Sequence, residues 1–326
     1  MTKNATDYSQ WSALWDRGYI TTFGPTMPLN YGSDVKAFWH KQFQKLNNSA
    51  EIIDVAAGNG AVATIAAEYS SIYDKKFSIA AADAAEINPE LITESESLNK
   101  YRCNVDFYSN APCEKLPFEN NSADLICSQF GIEYSDLSKS IPEVKRILRT
   151  NGTFAAVMHH ESSSVIRKAS KELDVLKDAL HSQKIIIKLN QYFNAIGQVS
   201  DEAALNAVRE KPAVIKSFQK LGKVINYLQS KYPNSNSVNR IMSEIEGLKP
   251  YVFKSKEERK SAIKEVSNDL EMTVLRQNDL KLASISTSSM RELRDIAESS
   301  GFKGFSSEEI RSPDGDISGW KVVATV

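Results

Sequence analysis

The apolar positions of this chain follow two periods in two places. Between Glu51 and His160, short apolar runs near 51–56, 77–83, 103–108, 123–128 and 152–159 alternate with stretches of helical period. Near-continuous apolar runs suit strands buried on both faces, and their alternation with helices predicts a parallel sheet covered on both sides. After Glu161 the strand pattern stops. As far as about Ser286 the period is helical; Val214, Ile215, Phe218, Leu221, Val224, Ile225 and Leu228, for example, predict one broad apolar face. Gly197, Pro212, Pro233-Asn234-Ser235-Asn236 and Gly247 to Pro250 divide this stretch into several helices. The sheet pattern then returns, with a helix from Met290 that stops at Gly301. Two strands near 303–311 and 319–326 follow, around the turn Pro313-Asp314-Gly315-Asp316.

These periods imply one domain interrupted by another. Residues 48–160 and 287–326 belong to the sheet, and residues 161–286 form a helical insertion after the fifth strand, too long for an ordinary loop. In a doubly wound sheet, ligands lie beyond the carboxyl ends of the strands, where such an insertion starts. It is expected to form a substrate cap or a dimer interface. Residues 1–47 are expected to form a helical lid. In that lid Tyr8, Trp11, Trp15, Tyr19 and Phe23 would share one face of a helix, although Gly18 interrupts it.

Composition narrows the choice of function. The chain has 326 residues, 41% of them hydrophobic, enough to bury one large core or two smaller ones. With a net charge of −1 and no dense Lys/Arg block, it offers no phosphate-tracking stripe, which argues against a nucleic-acid partner and for a small acceptor or substrate. Met1 to Asp7 carry no apolar leader and no window reads as a membrane span, so a cytosolic (cytoplasmic) protein is expected. Cys103, Cys113 and Cys127 lack metal or disulfide spacing, and no metal site is expected.

The chemistry concentrates at Glu51 to Ala63, an apolar strand bearing Asp54 near its end and breaking into Gly58-Asn59-Gly60 before a small-residue helix. Glycines there let the backbone turn tightly and lie against a ligand. Asp54 at the carboxyl end of a buried strand is placed to face a cation, such as the ammonium and sulfonium of S-adenosylmethionine. The same loop fits the dinucleotide fingerprint, with Asp83 ending the next strand at ribose-binding spacing. Alone it does not choose between the two ligands.

The segments that follow do choose: Ala111-Pro112-Cys113-Glu114-Lys115-Leu116-Pro117-Phe118, then Asn121 to Phe130, then Ile141 to Gly152 with Arg146-Ile147-Leu148 ahead of the glycine. Glu51 to His160 resembles the class I S-adenosylmethionine-dependent methyltransferases, in particular the ubiquinone/menaquinone biosynthesis methyltransferase-like group. The resemblance implies an α/β fold, a Rossmann-like seven-stranded methyltransferase sheet with its last strand antiparallel. It implies S-adenosyl-L-methionine as cofactor and S-adenosyl-L-homocysteine as product. Carried over by position, Asp54, Ala56, Gly58 and Gly60 would hold the methionine moiety, with Ala56 standing where glycine is more usual. Asp83 would take the ribose hydroxyls and Ala84 leave room for adenine. Cys113 and Glu114 would meet adenine through their backbone, with Pro112 where relatives carry an aspartate. Ser128, Gln129 and Phe130 would border the sulfonium, and Trp15, Arg17 and Tyr19 of the lid would shape the acceptor pocket.

Methyl transfer from a sulfonium needs alignment more than side-chain chemistry, and a base only where the acceptor must lose a proton. His159 and His160 after the fifth strand, with Glu133 and Tyr134 after the fourth, are the candidates. Side chains alternate on a strand, so at most one histidine is expected to face the pocket. The expected activity is methyl transfer to a small, medium-sized or carrier-bound acceptor, to oxygen before carbon or nitrogen. A methyltransferase-fold binding protein without turnover and a nicotinamide-dependent oxidoreductase are the alternatives.

Overall fold

A computed structural model of the chain describes residues 8–24, 30, 33–91, 96–312 and 314–326. The expected absence of a leader over Met1 to Asp7, and Pro313 of the expected turn, lie outside them. Two compact units are present: residues 1–167 with 279–326, and residues 168–278.

The first unit is organised by a seven-stranded sheet: β1 (Glu51–Val55), β2 (Ser78–Ala82), β3 (Asp106–Tyr108), β4 (Ala123–Gln129), β5 (Leu148–Met158), β6 (Gly304–Arg311) and β7 (Ile317–Thr325). Their order is β3-β2-β1-β4-β5-β7-β6. β1 to β5 pair in parallel, whereas β7 runs antiparallel to both β5 and β6. The alternation of side chains along each strand builds two cores. Ile52, Leu125, Ala155 and Val157 point to one face, and Ile53, Ile126, Phe154 and Ala156 to the other. α1 (Ser9–Trp15) packs against Ala85 and Ile87 beyond the end of β2, and the first face carries α2 (Ser33–Gln44), whose Trp39 and Phe43 are fully buried, and α3 (Ala61–Ile72). Beyond α4 (Glu96–Arg102), the second face takes α5 (Leu137–Ile147). Among the described residues of the lid anticipated over 1–47, α2 belongs to the core of the sheet, and the stretch from Tyr8 to Gly24 reaches the cleft described below.

The second unit contains most of the helices between β5 and β6, and has its own core around Leu176, Ile185, Leu189, Leu221, Val224 and Ile263. The helices in this part of the chain are α6 (Ser164–Lys177), a π-helical turn (Asp178–Ser182), α7 (Ile185–Ile196), α8 (Glu202–Arg209), α9 (Pro212–Lys231), α10 (Asn236–Gly247) and α11 (Lys256–Ala283). The breaks fall at Gly197, which leaves α7 at φ 72°, at Pro212, which opens α9, and at Asn234, with φ 64°. The buried face of α9 is narrower than its sequence suggests. Val214, Leu221, Val224 and Leu228 are buried, whereas Ile215 and Phe218 are 42% and 59% exposed. They lie one step around the helix from the buried row, where the 100° per residue of an α-helix turns a side chain off the seam. After α11 the chain returns to the sheet through α12 (Thr287–Ser299), whose Met290 and Leu293 pack in the second core of the sheet. Among the described residues no helix is long and apolar enough to cross a membrane.

Candidate active site

Sheet order reverses between β1 and β4, and the carboxyl ends of these two strands open a crevice. A cleft with about 840 Å³ of empty space lies there, lined by the ends of β1, β2 and β4, the loops that follow them, and Tyr8, Trp11, Trp15 and Ile20 to Thr22.

The loop after β1 is backbone held close to ligand space. Gly58 has φ 53°, and a Cβ there would come within 2.4 Å of the Trp15 indole. Gly60 has φ 83°, and a Cβ would meet the Phe107 ring at 2.7 Å. Ala56 occupies the same left-handed region at φ 50°, which explains why glycine is the more usual residue there and costs roughly 1 kcal/mol. Phe130, at the end of β4, is also left-handed, at φ 52°. Two strained non-glycine residues on facing lips of one cleft fit a site shaped for a ligand.

Two buried carboxylates face each other across this loop. Asp54, 1% exposed, accepts the Ala63 N–H at 3.0 Å and so caps the first turn of α3. Asp83, 8% exposed, accepts the Gly58 N–H at 2.7 Å on one oxygen and the Ala85 N–H at 2.8 Å on the other. Burial pushes Asp54 up to about 7, against the pull of its backbone bonds and helped by the charge of Asp83; burial pushes Asp83 up to about 6. A cation in the cleft would favour both ionised forms.

Gln129 supplies a donor. Its Oε1 accepts the Trp39 indole N–H at 2.5 Å, so the amide orientation is set by a partner that can only donate. Its Nε2 is buried without a partner among the described residues, and Gln129 lines the cleft. A buried amide left open in this way suits a ligand's acceptor atom. Ser128 does not line the cleft; its hydroxyl accepts the Ile132 N–H at 2.9 Å and shapes the loop after β4.

The N-terminal stretch is tied to the loop by Asn59, fully buried, whose amide donates to the carbonyls of Trp15 and Tyr19, both at 2.9 Å. Trp15 therefore sits on the glycine loop, while Tyr19 contributes its backbone. Arg17 is exposed and lines neither the cleft nor the chamber beside it. Ala84, Cys113 and Glu114 line the cleft, and burial raises the Cys113 thiol well above its usual range.

The two histidines part company. His159 places Nδ1 2.8 Å from Glu133 Oε1, and the same oxygen accepts the His159 backbone N–H at 2.9 Å. A carboxylate acceptor assigns the ring proton to Nδ1 and leaves Nε2 with a lone pair, the form of a base. The His159 ring stands 4.4 Å from Phe130 and 6.0 Å from Tyr134, both of which line the cleft. His160 turns away. Its Nδ1 accepts the Ser162 N–H at 2.9 Å and its ring stacks on Trp320 at 4.8 Å.

Residues 53–156 match a family profile described as a methyltransferase domain. The ubiquinone/menaquinone biosynthesis C-methyltransferase of Citrifermentans bemidjiense is 29% identical over 154 residues, 46% of this chain and 59% of that protein. The enzyme of the same name from Rickettsia prowazekii is 31% identical over 126 residues, 36% of this chain and 49% of that one. The chain thus spans about half the length of the curated relatives it matches. Among solved structures, a Methanococcus maripaludis protein named for an inferred S-adenosyl-L-methionine-dependent methyltransferase covers 99% of this chain and 96% of its own, at 14% identity and a TM-score of 0.45.

Proposed function

We propose that this chain, whose sheet is a class I S-adenosylmethionine-dependent methyltransferase domain with S-adenosylmethionine as its cofactor, transfers a methyl group to a small or medium-sized acceptor in the cytosol. The observation that carries this reading is the cleft at the β1/β4 switch point, with two buried carboxylates and an unpaired amide around a glycine loop.

Bound there, the cofactor supplies an activated methyl on a sulfonium. The residues of the chain bind, orient and exclude water. Asp54 and the loop from Ala56 to Gly60 would hold the methionine end, with the Gln129 Nε2 offered to an acceptor atom. Asp83, with lone pairs left after its two backbone bonds, would accept the ribose hydroxyls. Trp15, held on the loop by Asn59, would close the cleft against solvent. The His159 Nε2 would take a proton from an acceptor hydroxyl or acidic carbon, with Glu133 holding the ring and steadying the charge it gains. Oxygen remains the favoured acceptor atom; carbon is the atom named in the relatives' titles.

Isothermal titration with S-adenosylmethionine, S-adenosylhomocysteine and reduced nicotinamide dinucleotide, for the native protein and Asp83→Ala, tests the reading. Saturable binding of the S-adenosyl ligands alone is expected, weakened in the variant by about 1.5–3 kcal/mol, the range for a hydrogen bond to a charged group. Binding of the nicotinamide ligand instead would sink the methyltransferase reading, and unchanged affinity in the variant would sink the ribose assignment.

A further inference from the structure

Beside the cleft lies a second, wider chamber with about 2020 Å³ of empty space, and Tyr8, Glu114, Tyr134 and Ser135 belong to the walls of both. One wall is apolar, made by Leu137, Leu282, Ala283, Leu293 and Ile296, and Leu282 is 74% exposed. The charged groups in its lining are four carboxylates, Glu114, Glu133, Asp136 and Glu292, and one ammonium, Lys139. Lys139 lies 2.8 Å from Asp136, so that pair cancels and three carboxylates remain. Glu133 is the informative one. Its side chain is fully buried, and Oε1 takes both His159 donors, while Oε2 has no partner among the described residues. Leaving a buried carboxylate oxygen without a donor costs free energy, unless a ligand brings the donor.

We infer that this chamber seats the methyl acceptor, and that the acceptor is a small amine-bearing molecule with an apolar body. The apolar wall takes the body, and the three carboxylates select a positive group and repel phosphates and carboxylates. Glu133 lines the chamber but not the cleft: it holds His159 through one oxygen and keeps the other for the acceptor's N–H. The amine is the recognition handle, and the methylated atom lies on the side of the chamber next to Tyr134, which lines both spaces. This inference rests on the adjoining cleft being the cofactor site.

The test uses the full chain in the presence of S-adenosylhomocysteine, titrated with octylamine, octanol and octanoate at pH 7.5, three probes with the same tail and different heads. Octylamine is expected to bind about tenfold or more tighter than octanoate, with octanol between them, a gap on the scale of a few close charges at partly exposed positions. Glu292→Gln, at an exposed position of α12, and Glu114→Gln should each narrow the gap several-fold. Octanoate binding as tightly as octylamine, no binding of any probe, or a gap unchanged in both variants would overturn the inference. Failure of S-adenosylhomocysteine to bind while the amine preference and its loss in the variants persist would remove the cofactor reading and leave the chamber's selectivity standing.

Discussion

Burial raises the proton affinity of Asp54 and Asp83, and a cationic cofactor would favour their ionised forms. Their folded-state values of about 7 and about 6 exceed the ordinary aspartate value of about 4, so the folded chain binds more protons than the unfolded one across the interval between. Their contribution to stability is therefore present at acid pH and falls as pH rises from about 4 to about 7. Cofactor affinity should run the opposite way. Titration at pH 5.5 and pH 8 should show S-adenosylmethionine binding about tenfold weaker at the lower pH, from the ionisation deficit of Asp54. An affinity flat with pH would mean that the carboxylates do not meet the cation. The histidines make a second contrast. With an acceptor in hand, His159→Ala should lower turnover about 100-fold with cofactor binding intact, the scale of a lost general base. His160→Ala should leave turnover near native and lower the melting temperature, since its ring packs on Trp320 and accepts the Ser162 N–H away from the cleft. Equal losses of turnover in both would contradict the assignment. Alternation along β5 allowed at most one histidine to face the pocket; what sets His159 apart from His160 is its contact with Glu133, 26 residues away, which the sequence does not show.

At the scale of elements, α2 acts on the cleft without touching it. Trp39, fully buried in the core of the sheet, fixes the Gln129 amide from behind. Trp39→Phe keeps most of the packing and frees the amide to rotate, so calorimetry should show cofactor affinity several-fold weaker in proportion to one lost oriented hydrogen bond. Gln129→Leu should then cost the same alone or combined with Trp39→Phe; additive losses would show that Trp39 acts by another route. This pair was hidden in the sequence because its members are 90 residues apart. The Asn59 latch was hidden too, since an asparagine between two glycines gives no hint that its side chain reaches the carbonyls of Trp15 and Tyr19. The glycine loop itself was legible, because its backbone geometry admits few residue types. On α9, period alone overstated the buried face, because apolar residues at the edge of a stripe can stay in solvent. The five aromatics from Tyr8 to Phe23 read as one helical face, yet α1 ends at Trp15 and Gly18 has φ 73°.

For the whole molecule, the alternating strands of the first half and the helical run after them were readable because strand and helix periods differ so clearly. The return to the sheet at β6 and β7 was readable from a helix stop and a turn flanked by apolar runs. Acceptor chemistry was not, because the chamber draws Glu114, Glu133, Leu282 and Glu292 from four separate segments that meet only in the fold. The interruption of the sheet also carries a consequence for how the chain is made. β5 pairs with β7, and β7 begins at Ile317, long after β5 ends at Met158. At ribosomal rates the chain between them takes on the order of ten seconds or more to emerge. Throughout that interval the backbone N–H and C=O groups on one edge of β5 have no strand to join, the state most open to pairing with a neighbouring nascent chain. Assembly of this protein during synthesis thus depends on what shelters a half-built edge until the last strand arrives.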